Sequence, residues 1–330
     1  MYQKLRGMQA VRKIARNPNV ARNPLVGYAY RRRMESKIKG MHSFPPGLLV
    51  ETINTCNAKC TMCPYPAMTR KKEFMPMELY KKIVDEAAGQ GVKRFQLNAT
   101  NEPLTDPLIF KRIQYAREKG ITGTRFFSNG SLLSEEKAKA LLESGLELLI
   151  ISLDGATKEV YEKVRVGLDY DTVIANITRF LEMRKAGGYQ YPKVELHMTV
   201  SKANTSEAEA FVSKFKQLAD VVTTTIAHDW AGQTQENNPL HVITNPVPAT
   251  PCRKLWFDFN VLADGRVALC CLDYDGKVIL GDVKSQSIME IWNGEAYRKI
   301  RDAHVNGNQS TLNLCNTCHQ RDSWWRGDEQ

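Results

Sequence analysis

The sequence predicts an α/β protein whose largest part is a partial (β/α)6 TIM-like barrel. Between residues 48 and 230, short β-prone apolar runs alternate with helical segments that have one apolar face. Polar motifs follow the strands, as expected at the edge of a parallel barrel where chemistry takes place. A basic helical N-terminal arm precedes the barrel, and a small cysteine-rich α+β domain follows it. We therefore expect three parts, at residues 1–46, 47–235 and 236–330.

Six strands and five helices are expected in the barrel. The strands are predicted at residues 48–52, 94–97, 124–128, 148–152, 193–200 and 221–226. The helices are predicted at residues 77–88, 107–119, 134–144, 170–185 and 206–217. Gly89, Gly120 and Gly145 fall just past three helices, where C-terminal glycines occur, and Ser206-x-x-Glu209 predicts a capping box for the last helix. This alternation favours parallel strands joined by right-handed crossovers.

The N-terminal arm carries the whole net charge of the chain. Residues 1–50 contain eleven Lys or Arg and one acidic residue, which together equal the formal net charge of +10. Such an arm is suited to contact an anionic partner, such as a phosphate, a nucleic acid, a membrane surface or an acidic peptide. The alternative is a solvated arm that packs on the outside of the barrel.

The composition also limits the class of protein. No apolar run reaches the roughly 18 residues that a membrane span needs, and the basic N-terminus lacks the apolar core and cleavage site of a signal peptide. The eight cysteines occur in groups, which without a secretion signal favours metal ligation over disulfides. We therefore expect a reduced, cytoplasmic protein without a transmembrane segment.

Three cysteines follow the first predicted strand at C-x3-C-x2-C spacing: Cys56, Cys60 and Cys63. A loop with this spacing can fold its sulfur atoms around one face of a cubane iron–sulfur cluster, which usually has four cysteine ligands. Three local ligands leave one iron with an open position, and an open position allows chemistry. The alternatives are a zinc knuckle or three unrelated thiols.

Every later strand is also followed by polar residues. In chain order, these are residues 98–103 (NATNEP), 128–130 (SNG), 152–155 (SLDG), Thr199 with Ser201, and residues 228–230 (HDW). Because parallel strands end at the same edge, we expect these side chains to converge on the cysteine loop.

With these motifs in place, the chain resembles the radical S-adenosylmethionine (SAM) superfamily. The cysteine loop matches the family's CxxxCxxC motif. Asn101-Glu102-Pro103 stands where the family has Gly-Gly-Glu-Pro, and residues 152–155 match its Ser-Leu/Met-Asp-Gly motif. Two residues depart from the family pattern, because Asn101 replaces a glycine and Met62 replaces the common aromatic residue before the third cysteine.

The resemblance implies a [4Fe–4S] cluster on the three cysteines, with the fourth iron chelating the amine and carboxylate of SAM. Glu102 would accept the methionine ammonium, Ser152 and Arg165 would hold the ribose and the carboxylate, and Met62 would contact adenine. Further SAM-binding candidates are Thr100, Asn101, Ser128, Asn129 and Met198. An electron from a reductase such as flavodoxin or ferredoxin would cleave SAM, and the resulting 5′-deoxyadenosyl radical would take a hydrogen atom from the substrate.

Each of these roles has a purely structural alternative. Ser128 and Ser152 would then simply end their strands, and Glu102 would be a solvated loop acid. Arg165 follows a helical stretch and would be a surface arginine.

The remaining five cysteines lie in the tail, after an Asn/Pro/Thr-rich linker at residues 231–251. Cys252 precedes an aromatic β-like run at residues 256–259, a hairpin turn at Asp264-Gly265 and the Cys270-Cys271 pair. A short helix near residues 288–292 then leads to Cys315-x-x-Cys318. We expect Cys252, Cys270, Cys315 and Cys318 to form a closed four-ligand site, with structural zinc as the alternative.

This tail resembles the SPASM/twitch extension of radical SAM enzymes. Cys252 and Gly265-x4-Cys270 match the start of its pattern, and only Cys315 and Cys318 remain of the later cysteines. The resemblance implies one auxiliary [4Fe–4S] cluster of the twitch type. Cys271 would be spare, or would exchange roles with Cys270.

We therefore expect a radical SAM oxidoreductase that oxidises a carbohydrate-like small molecule by two electrons, with the auxiliary cluster as electron acceptor. Base candidates are His197, His228 and Asp229, since histidine titrates near neutral pH, although each histidine could equally be a core residue. The alternatives are a peptide-modifying maturase, whose basic arm would recruit an acidic leader, and a redox-neutral epimerase or dehydratase. A zinc-stabilised nucleic-acid-binding protein is the alternative of another class.

Overall fold

The computed structural model describes residues 43–234 and 251–318. The basic arm therefore lies almost entirely outside the described residues, as does most of the linker predicted at 231–251. The predictions for these two segments remain predictions.

Nine strands form one mixed sheet, in the order β6-β5-β4-β3-β2-β1-β7-β8-β9. Strands β1 to β7 pair in parallel, and β8 and β9 add to them in antiparallel fashion. The strands are β1 (Gly47–Val50), β2 (Arg94–Gln96), β3 (Thr124–Ser128), β4 (Leu148–Ser152), β5 (Lys193–Val200), β6 (Val221–Ile226), β7 (Asp258–Val261), β8 (Arg266–Ala268) and β9 (Ile279–Asp282). The barrel is thus partial, because the sheet does not close on itself.

Helices cross between the parallel strands and cover their outer faces. The helices are α1 (Met77–Ala87), α2 (Ile109–Glu118), α3 (Glu135–Ser144), α4 (Lys158–Val164), α5 (Tyr170–Ala186), α6 (Ala208–Phe215), α7 (Lys254–Phe257), α8 (Ile288–Trp292) and α9 (Glu295–Val305). Phe95 of β2 packs edge-to-face on Tyr80 of α1, with ring centroids 6.2 Å apart, and both side chains are fully buried. This strand–helix layer forms the main hydrophobic core.

The predicted α/β class and the six barrel strands are confirmed, and β3 to β6 have the predicted boundaries. Two local predictions were wrong. Ser206 lies inside a 3-10 turn (Thr205–Glu207) that precedes α6, and the residue before α6 makes no side-chain cap. The run predicted as β-like from residue 256 is helical through Phe257, because Leu255 and Trp256 donate backbone hydrogen bonds to Cys252 and Arg253.

The first strand of the tail extends the barrel sheet. Strand β7 pairs in parallel with the free edge of β1, with Leu48 opposite Phe259 and Val50 opposite Val261. The predicted hairpin turn follows, with Gly265 at φ 88°, a conformation that glycine adopts without steric cost. The tail and the barrel are therefore joined by a continuous hydrogen-bonded ladder.

A buried ion pair reinforces this junction. The Arg70 guanidinium makes two hydrogen bonds of 2.8 Å to the Glu51 carboxylate, and its Nε donates to the carbonyl of Tyr274 at 2.7 Å. Glu51 also accepts from the backbone N–H of Ala263. The segment after the cysteine loop is thus tied both to the end of β1 and to the tail.

A second buried ion pair anchors the loop that follows β2. Arg112 donates to Asp106 at 2.9 Å, and both side chains are fully excluded from solvent. Asp106 also accepts from the backbone N–H of Leu108 at 2.8 Å, and Arg112 lies over the ring of Tyr80.

Among the described residues, no helix is both long and apolar enough to cross a membrane.

We expect Asp106→Ala to lower the free energy of unfolding by about 3–5 kcal/mol, because it leaves the Arg112 charge buried without its partner. Urea unfolding of the metal-free protein measures this loss. The matched control is Asp85→Ala, which removes a half-exposed ion pair with Lys119 and should have little effect. Equal losses of unfolding free energy in the two variants would contradict a special contribution of the buried Arg112–Asp106 pair to stability.

Candidate active site and auxiliary metal centre

A cavity of about 230 Å³ lies at the C-terminal ends of strands β1 to β6. The predicted site residues in its wall are Cys56, Cys60, Met62, Cys63, Thr100, Asn101, Glu102, Asn129, Ser152, Arg165 and His228. Four further predicted residues lie outside the wall: Ser128, His197, Met198 and Asp229. The strand ends therefore bring the cysteine loop together with residues that follow β2, β3, β4 and β6.

Backbone hydrogen bonds hold the cysteine loop against the end of α4. The N–H of Lys59 donates to the carbonyl of Val166 at 2.9 Å, and the N–H of Thr61 donates to the carbonyl of Val164 at 3.0 Å. The loop is thus held by the chain segment that also carries Arg165.

The thiols of this loop are sheltered from solvent. The pKa of Cys56 is raised to about 11 and that of Cys63 to about 12, mainly by burial and to a smaller extent by the neighbouring thiol of Cys60. Backbone N–H groups of Ala58 and Tyr65 point at the two sulfur atoms and partly offset this effect. The thiols of Cys56 and Cys63 are therefore protonated at neutral pH, and metal binding would release their protons.

Glu102 presents a buried carboxylate to the cavity. It accepts hydrogen bonds from Ser128 Oγ at 2.8 Å, from the backbone N–H of Asn129 at 2.7 Å and from that of Leu104 at 3.1 Å. Burial raises its pKa, although these hydrogen bonds and the charge of Arg165 act in the opposite direction. A cationic ligand group would favour the ionised carboxylate.

Arg165 lies at the C-terminal end of α4 and is largely buried, rather than on the surface. Its Nη2 lies 2.6 Å from Asp154 Oδ2, and its Nη1 lies 3.5 Å from Cys60 Sγ. Asp154 is fully buried and also accepts from the backbone N–H of Thr199 at 2.7 Å. Burial lowers the pKa of Arg165, but Asp154, Cys60 and Tyr161 together raise it above its ordinary value, so the guanidinium stays charged in the cavity wall.

The glycine after Asp154 is required by the backbone around it. A Cβ atom on Gly155 would lie 2.6 Å from the backbone nitrogen of Tyr161, which no side chain tolerates without movement. The SLDG motif thus combines an acid that holds Arg165 with a close approach to α4.

The cavity wall contains polar atoms whose hydrogen-bonding capacity the chain does not use. Asn101 Oδ1 accepts from the backbone N–H of Ala99 at 2.9 Å, whereas its buried Nδ2 has no partner. The buried Nε of Arg165 also has none. Two free donors beside a buried carboxylate fit a ligand that carries both a carboxylate and an ammonium group, as the methionine part of SAM does.

Ser128 and Asn129 act on Glu102 from the end of β3. The Ser128 hydroxyl is fully engaged, because it donates to Glu102 and accepts from the N–H of Gly130 at 3.0 Å. The Asn129 side chain donates to Asn57 Oδ1 at 2.9 Å, which links the end of β3 to the cysteine loop. Both residues position other groups of the wall.

His197 and Met198 belong to β5, below the cavity. The His197 ring nitrogens lie 2.8 and 3.0 Å from the hydroxyls of Thr223 and Thr225, and its ring packs edge-to-face on Phe127. Met198 is fully buried in the core. Phe127 lines the cavity, so the His197 ring lies behind this wall residue.

His228 and Trp230 form the wall on the side of β6. His228 Nδ1 accepts the backbone N–H of Trp230 at 3.2 Å, so a neutral ring carries its proton on Nε2. The indole N–H of Trp230 donates to the carbonyl of Met62 at 3.0 Å. The His228 and Trp230 rings pack edge-to-face, with their centroids 4.7 Å apart. The carbonyl of Asp229 accepts from the N–H of Gln233 at 3.0 Å, which folds the chain back after β6.

This turn adopts a left-handed backbone. Trp230 has φ 53° and Ala231 has φ 60°, a conformation that costs a non-glycine residue roughly 1–2 kcal/mol. Two contacts from the tail hold it there. Thr317 Oγ1 donates to the carbonyl of Ala231 at 2.5 Å, and Gln233 Nε2 donates to the carbonyl of Leu272 at 2.8 Å.

Sequence reasoning missed several wall residues, among them Tyr65, Asn98 and Trp230 as a wall side chain. Asn98 and Trp230 each follow a strand inside a polar motif, so their position was a usable signal. Tyr65 lies two residues beyond the last cysteine of the loop, in a short 3-10 turn that no pattern in the sequence indicates.

The cysteines of the tail gather beside β7. Burial raises the pKa of Cys252 well above its ordinary value, and the nearby thiols of Cys318 and Cys315 raise it further. Burial likewise raises the pKa of Cys270, which is close to Cys271, Cys318 and Cys252. The hairpin and the CxxC motif thus lie close to each other, with Cys270 near Cys252 and Cys318.

A donor set of four thiols suits a soft metal centre such as an iron–sulfur cluster, which spreads its ligands around a cube. Within the described residues, no three His, Cys, Asp or Glu side chains come together as ligands of one metal ion.

The two cysteine-lined regions share a wall. A small cavity of about 10 Å³, room for about one water molecule, lies between β1, β7 and the loop after β2. Ala99 and Thr100 line both this cavity and the large one, and Cys270 and Cys271 line the small one from the tail side. The loop at Ala99 and Thr100 therefore borders both the large cavity and the space beside Cys270 and Cys271.

Comparisons with known families agree with this geometry. The sequence model of the radical SAM superfamily matches residues 50–199. The model of an iron–sulfur cluster-binding domain, SPASM, matches residues 252–319. The two matches cover the barrel with its cysteine loop and the tail with its four gathered thiols.

Curated relatives and a solved structure are similar over much of the chain. The AdoMet-dependent heme synthase of Methanosarcina barkeri is 25% identical over 75% of this chain and 82% of its own length. The S-adenosyl-L-methionine-dependent 2-deoxy-scyllo-inosamine dehydrogenase of Niallia circulans is 23% identical over 82% of this chain and 91% of its own length. The structure of Streptococcus suis SuiB bound to precursor peptide SuiA is 16% identical, with a TM-score of 0.64 over 82% of this chain and 70% of that one.

The fold, the cysteine loop and the two family matches lead to one conclusion. Residues 50–199 form a radical SAM domain and residues 252–319 form a SPASM iron–sulfur domain, and these two domains imply SAM and two [4Fe–4S] clusters as cofactors.

Proposed function

We propose that the protein oxidises a carbohydrate-like small molecule by two electrons, with the auxiliary cluster as the electron acceptor. The observation that supports this most directly is the loop at Ala99 and Thr100, which lines both the active-site cavity and the space beside Cys270. This loop therefore lies between the substrate cavity and Cys270, on a path for an electron that leaves the substrate. Four protein thiols at the auxiliary site leave no open iron, which suits electron transfer rather than substrate binding.

The bound cofactors would supply a 5′-deoxyadenosyl radical, formed with one electron from a reductase such as flavodoxin or ferredoxin. An alcohol carbon of the substrate would lose a hydrogen atom to that radical, its hydroxyl proton to a base and the second electron to the auxiliary cluster. The products would be a carbonyl compound, 5′-deoxyadenosine and methionine, which balances atoms and electrons.

In this proposal the protein binds SAM through the ammonium and carboxylate groups of its methionine part. Cys56, Cys60 and Cys63 ligate the first cluster. The Glu102 carboxylate takes the methionine ammonium, and the free N–H groups of Asn101 and Arg165 take the methionine carboxylate.

Further wall residues would contact the rest of SAM. Ser152 would hold the ribose, Thr100 would border it, and Met62 would pack on adenine with its polarizable thioether. Ser128 and Asn129 hold Glu102 in place, while Met198 supports β5 from the core.

The three base candidates differ in their position. The ring of His228 reaches the cavity, whereas the two ring nitrogens of His197 are engaged by threonine hydroxyls behind Phe127. Because His228 Nδ1 accepts the N–H of Trp230, its Nε2–H is a donor. We propose that His228 binds a substrate hydroxyl as a donor, and Asp229 and His197 remain candidates for the base.

The polar wall supports a small hydroxylated substrate. Amide and hydroxyl groups of Asn98, Thr100 and Thr199 line the cavity, and such groups suit the hydrogen-bonding needs of a sugar or aminocyclitol. The dehydrogenase relative named above supports the same class, while the peptide complex of SuiB keeps a peptide substrate as the second candidate. We place the reaction in a reducing compartment such as the cytoplasm, with the basic arm free to contact an anionic partner.

We expect anaerobically reconstituted protein to hold about eight irons, and the Cys56/Cys60/Cys63→Ala variant to hold about four. The adjacent cysteines of the tail give a matched pair. Cys270→Ala should lose auxiliary iron, whereas Cys271→Ala should keep about eight irons. Iron and sulfide assays with EPR measure these contents. A total of about four irons that falls to none in the triple variant would contradict an auxiliary cluster.

We expect Glu102→Gln to weaken SAM binding by about 2–5 kcal/mol, roughly 30-fold or more, because the ammonium loses its buried counter-charge. Burial raises the pKa of Glu102, and only the ionised form attracts the ammonium. Wild-type affinity should therefore fall as the pH decreases through this pKa, and the variant should lack that dependence. Equilibrium dialysis with labelled SAM measures both.

The control for this variant is Glu135→Gln on the exposed surface of α3, which should bind SAM as the wild type does. Iron content confirms that the first cluster is intact in each protein. An unchanged affinity in Glu102→Gln would remove Glu102 from the SAM site.

We expect deuterium at the reacting carbon of the true substrate to appear in 5′-deoxyadenosine. Mass spectrometry of reactions with deuterated aminocyclitols, nucleotide-linked sugars and peptides measures this transfer. Transfer from a sugar together with a carbonyl product supports the proposal. Transfer only from a peptide would contradict a carbohydrate-like substrate and indicate a peptide substrate. Transfer without net oxidation of the substrate would contradict the proposed oxidation and indicate a redox-neutral reaction.

A further inference from the structure

A buried histidine lies between two cysteines of the tail. His304, in the last turn of α9, is 1% exposed. Its Nδ1 lies 3.2 Å from the backbone nitrogen of Cys252, and its Nε2 lies 3.4 Å from Cys315 Sγ. The ring thus touches the main chain at one cysteine and the sulfur at another. No pattern in the sequence marks it as part of the site.

The hydrogen-bond partners assign the tautomer of this ring. A backbone N–H can only donate, so His304 Nδ1 is the acceptor of the bond from Cys252. A neutral ring then carries its proton on Nε2, the atom that faces Cys315. The contact with the sulfur is therefore an N–H···S hydrogen bond in which the histidine donates.

The surroundings fix the ring in this orientation. Gln309 Nε2 donates to the His304 carbonyl at 3.1 Å, which holds the chain after α9. One turn earlier, the Arg301 guanidinium donates to the carbonyls of Leu255 and Trp292 at 3.0 and 2.8 Å. Leu255 belongs to α7, directly after Cys252, so α9 and the segment of Cys252 are held together.

We propose that His304 is a positioning residue of the auxiliary centre, and that its Nε2–H raises the reduction potential of the auxiliary cluster. An N–H donor to a ligand sulfur withdraws negative charge from it and so favours the reduced cluster. The same ring holds the Cys252 segment at a fixed distance from Cys315. The effect makes the auxiliary cluster a better electron acceptor, which the proposed oxidation requires.

This inference depends on Cys315 as a cluster ligand and not on the identity of the substrate. A failure to find deuterium transfer from sugars would end the proposed reaction and leave the role of His304 intact. A failure of the measurement below would remove His304 and leave the reaction as proposed.

The test uses the Cys56/Cys60/Cys63→Ala protein, in which only the auxiliary cluster is present. His304→Phe removes the donor without a change of charge, and His304→Gln keeps an amide N–H near the position of Nε2. Lys299→Gln, on the exposed face of α9, is the matched control. The readouts are iron and sulfide content and the midpoint potential from an EPR-monitored redox titration.

We expect about four irons in all proteins. The midpoint potential should be more negative in His304→Phe than in the parent, partly restored in His304→Gln and unchanged in Lys299→Gln. Equal potentials in the parent and both His304 variants would overturn the proposal. Loss of iron from both variants would also overturn it, because His304 would then be a ligand or a folding residue rather than a donor to Cys315. If only His304→Phe loses iron, the midpoint potential of His304→Gln decides: a value equal to that of the parent overturns the proposal, and a more negative value supports it.

Discussion

The pairing of β1 with two parallel neighbours is the interaction on which both metal sites depend. Strand β1 pairs with β2 on one side and with β7 on the other, so it lies inside the sheet although it begins the barrel. The cysteine loop leaves its C-terminal end, while Cys252 lies shortly before β7. A shift of β1 relative to β7 would move one set of thiols against the other. The buried pair of Arg70 and Glu51 resists such a shift at the same strand end.

Buried charges then give the cavity its chemistry. Glu102 and Arg165 both lie in the wall, where Ser128 donates a hydrogen bond to Glu102 and Asp154 pairs with Arg165. Burying such groups costs several kcal/mol each unless they are paired, which explains why the wall carries so many hydrogen bonds. The donors that remain without a partner, on Asn101 and Arg165, are the part of the wall that SAM would complete in the proposed function.

Local patterns in the sequence were sufficient for the barrel and for most of the cavity wall. Strand and helix periodicity predicted β1 to β6. Because the C-terminal ends of parallel strands meet at one edge, the sequence alone also predicted that Glu102, Ser152 and His228 lie close together. Features set by contacts between distant segments could not be predicted this way. The parallel pairing of β7 with β1 joins residues more than 200 positions apart, and His304 becomes a partner of Cys252 only when α9 folds back. The exact use of Ser128 as a support for Glu102 depends on a loop conformation that no motif encodes.

The left-handed turn at Trp230 shows how the tail can influence the active-site cavity. Its strained backbone is held by Thr317, which lies between Cys315 and Cys318, and its indole reaches the carbonyl of Met62 in the first cysteine loop. Strain of this kind persists only where surrounding contacts fix it. The ordering of the CxxC segment by a cluster would therefore fix Thr317, and with it the turn and the Trp230 side of the cavity. On this argument the auxiliary centre would shape the Trp230 side of the active-site cavity in addition to its proposed role as electron acceptor.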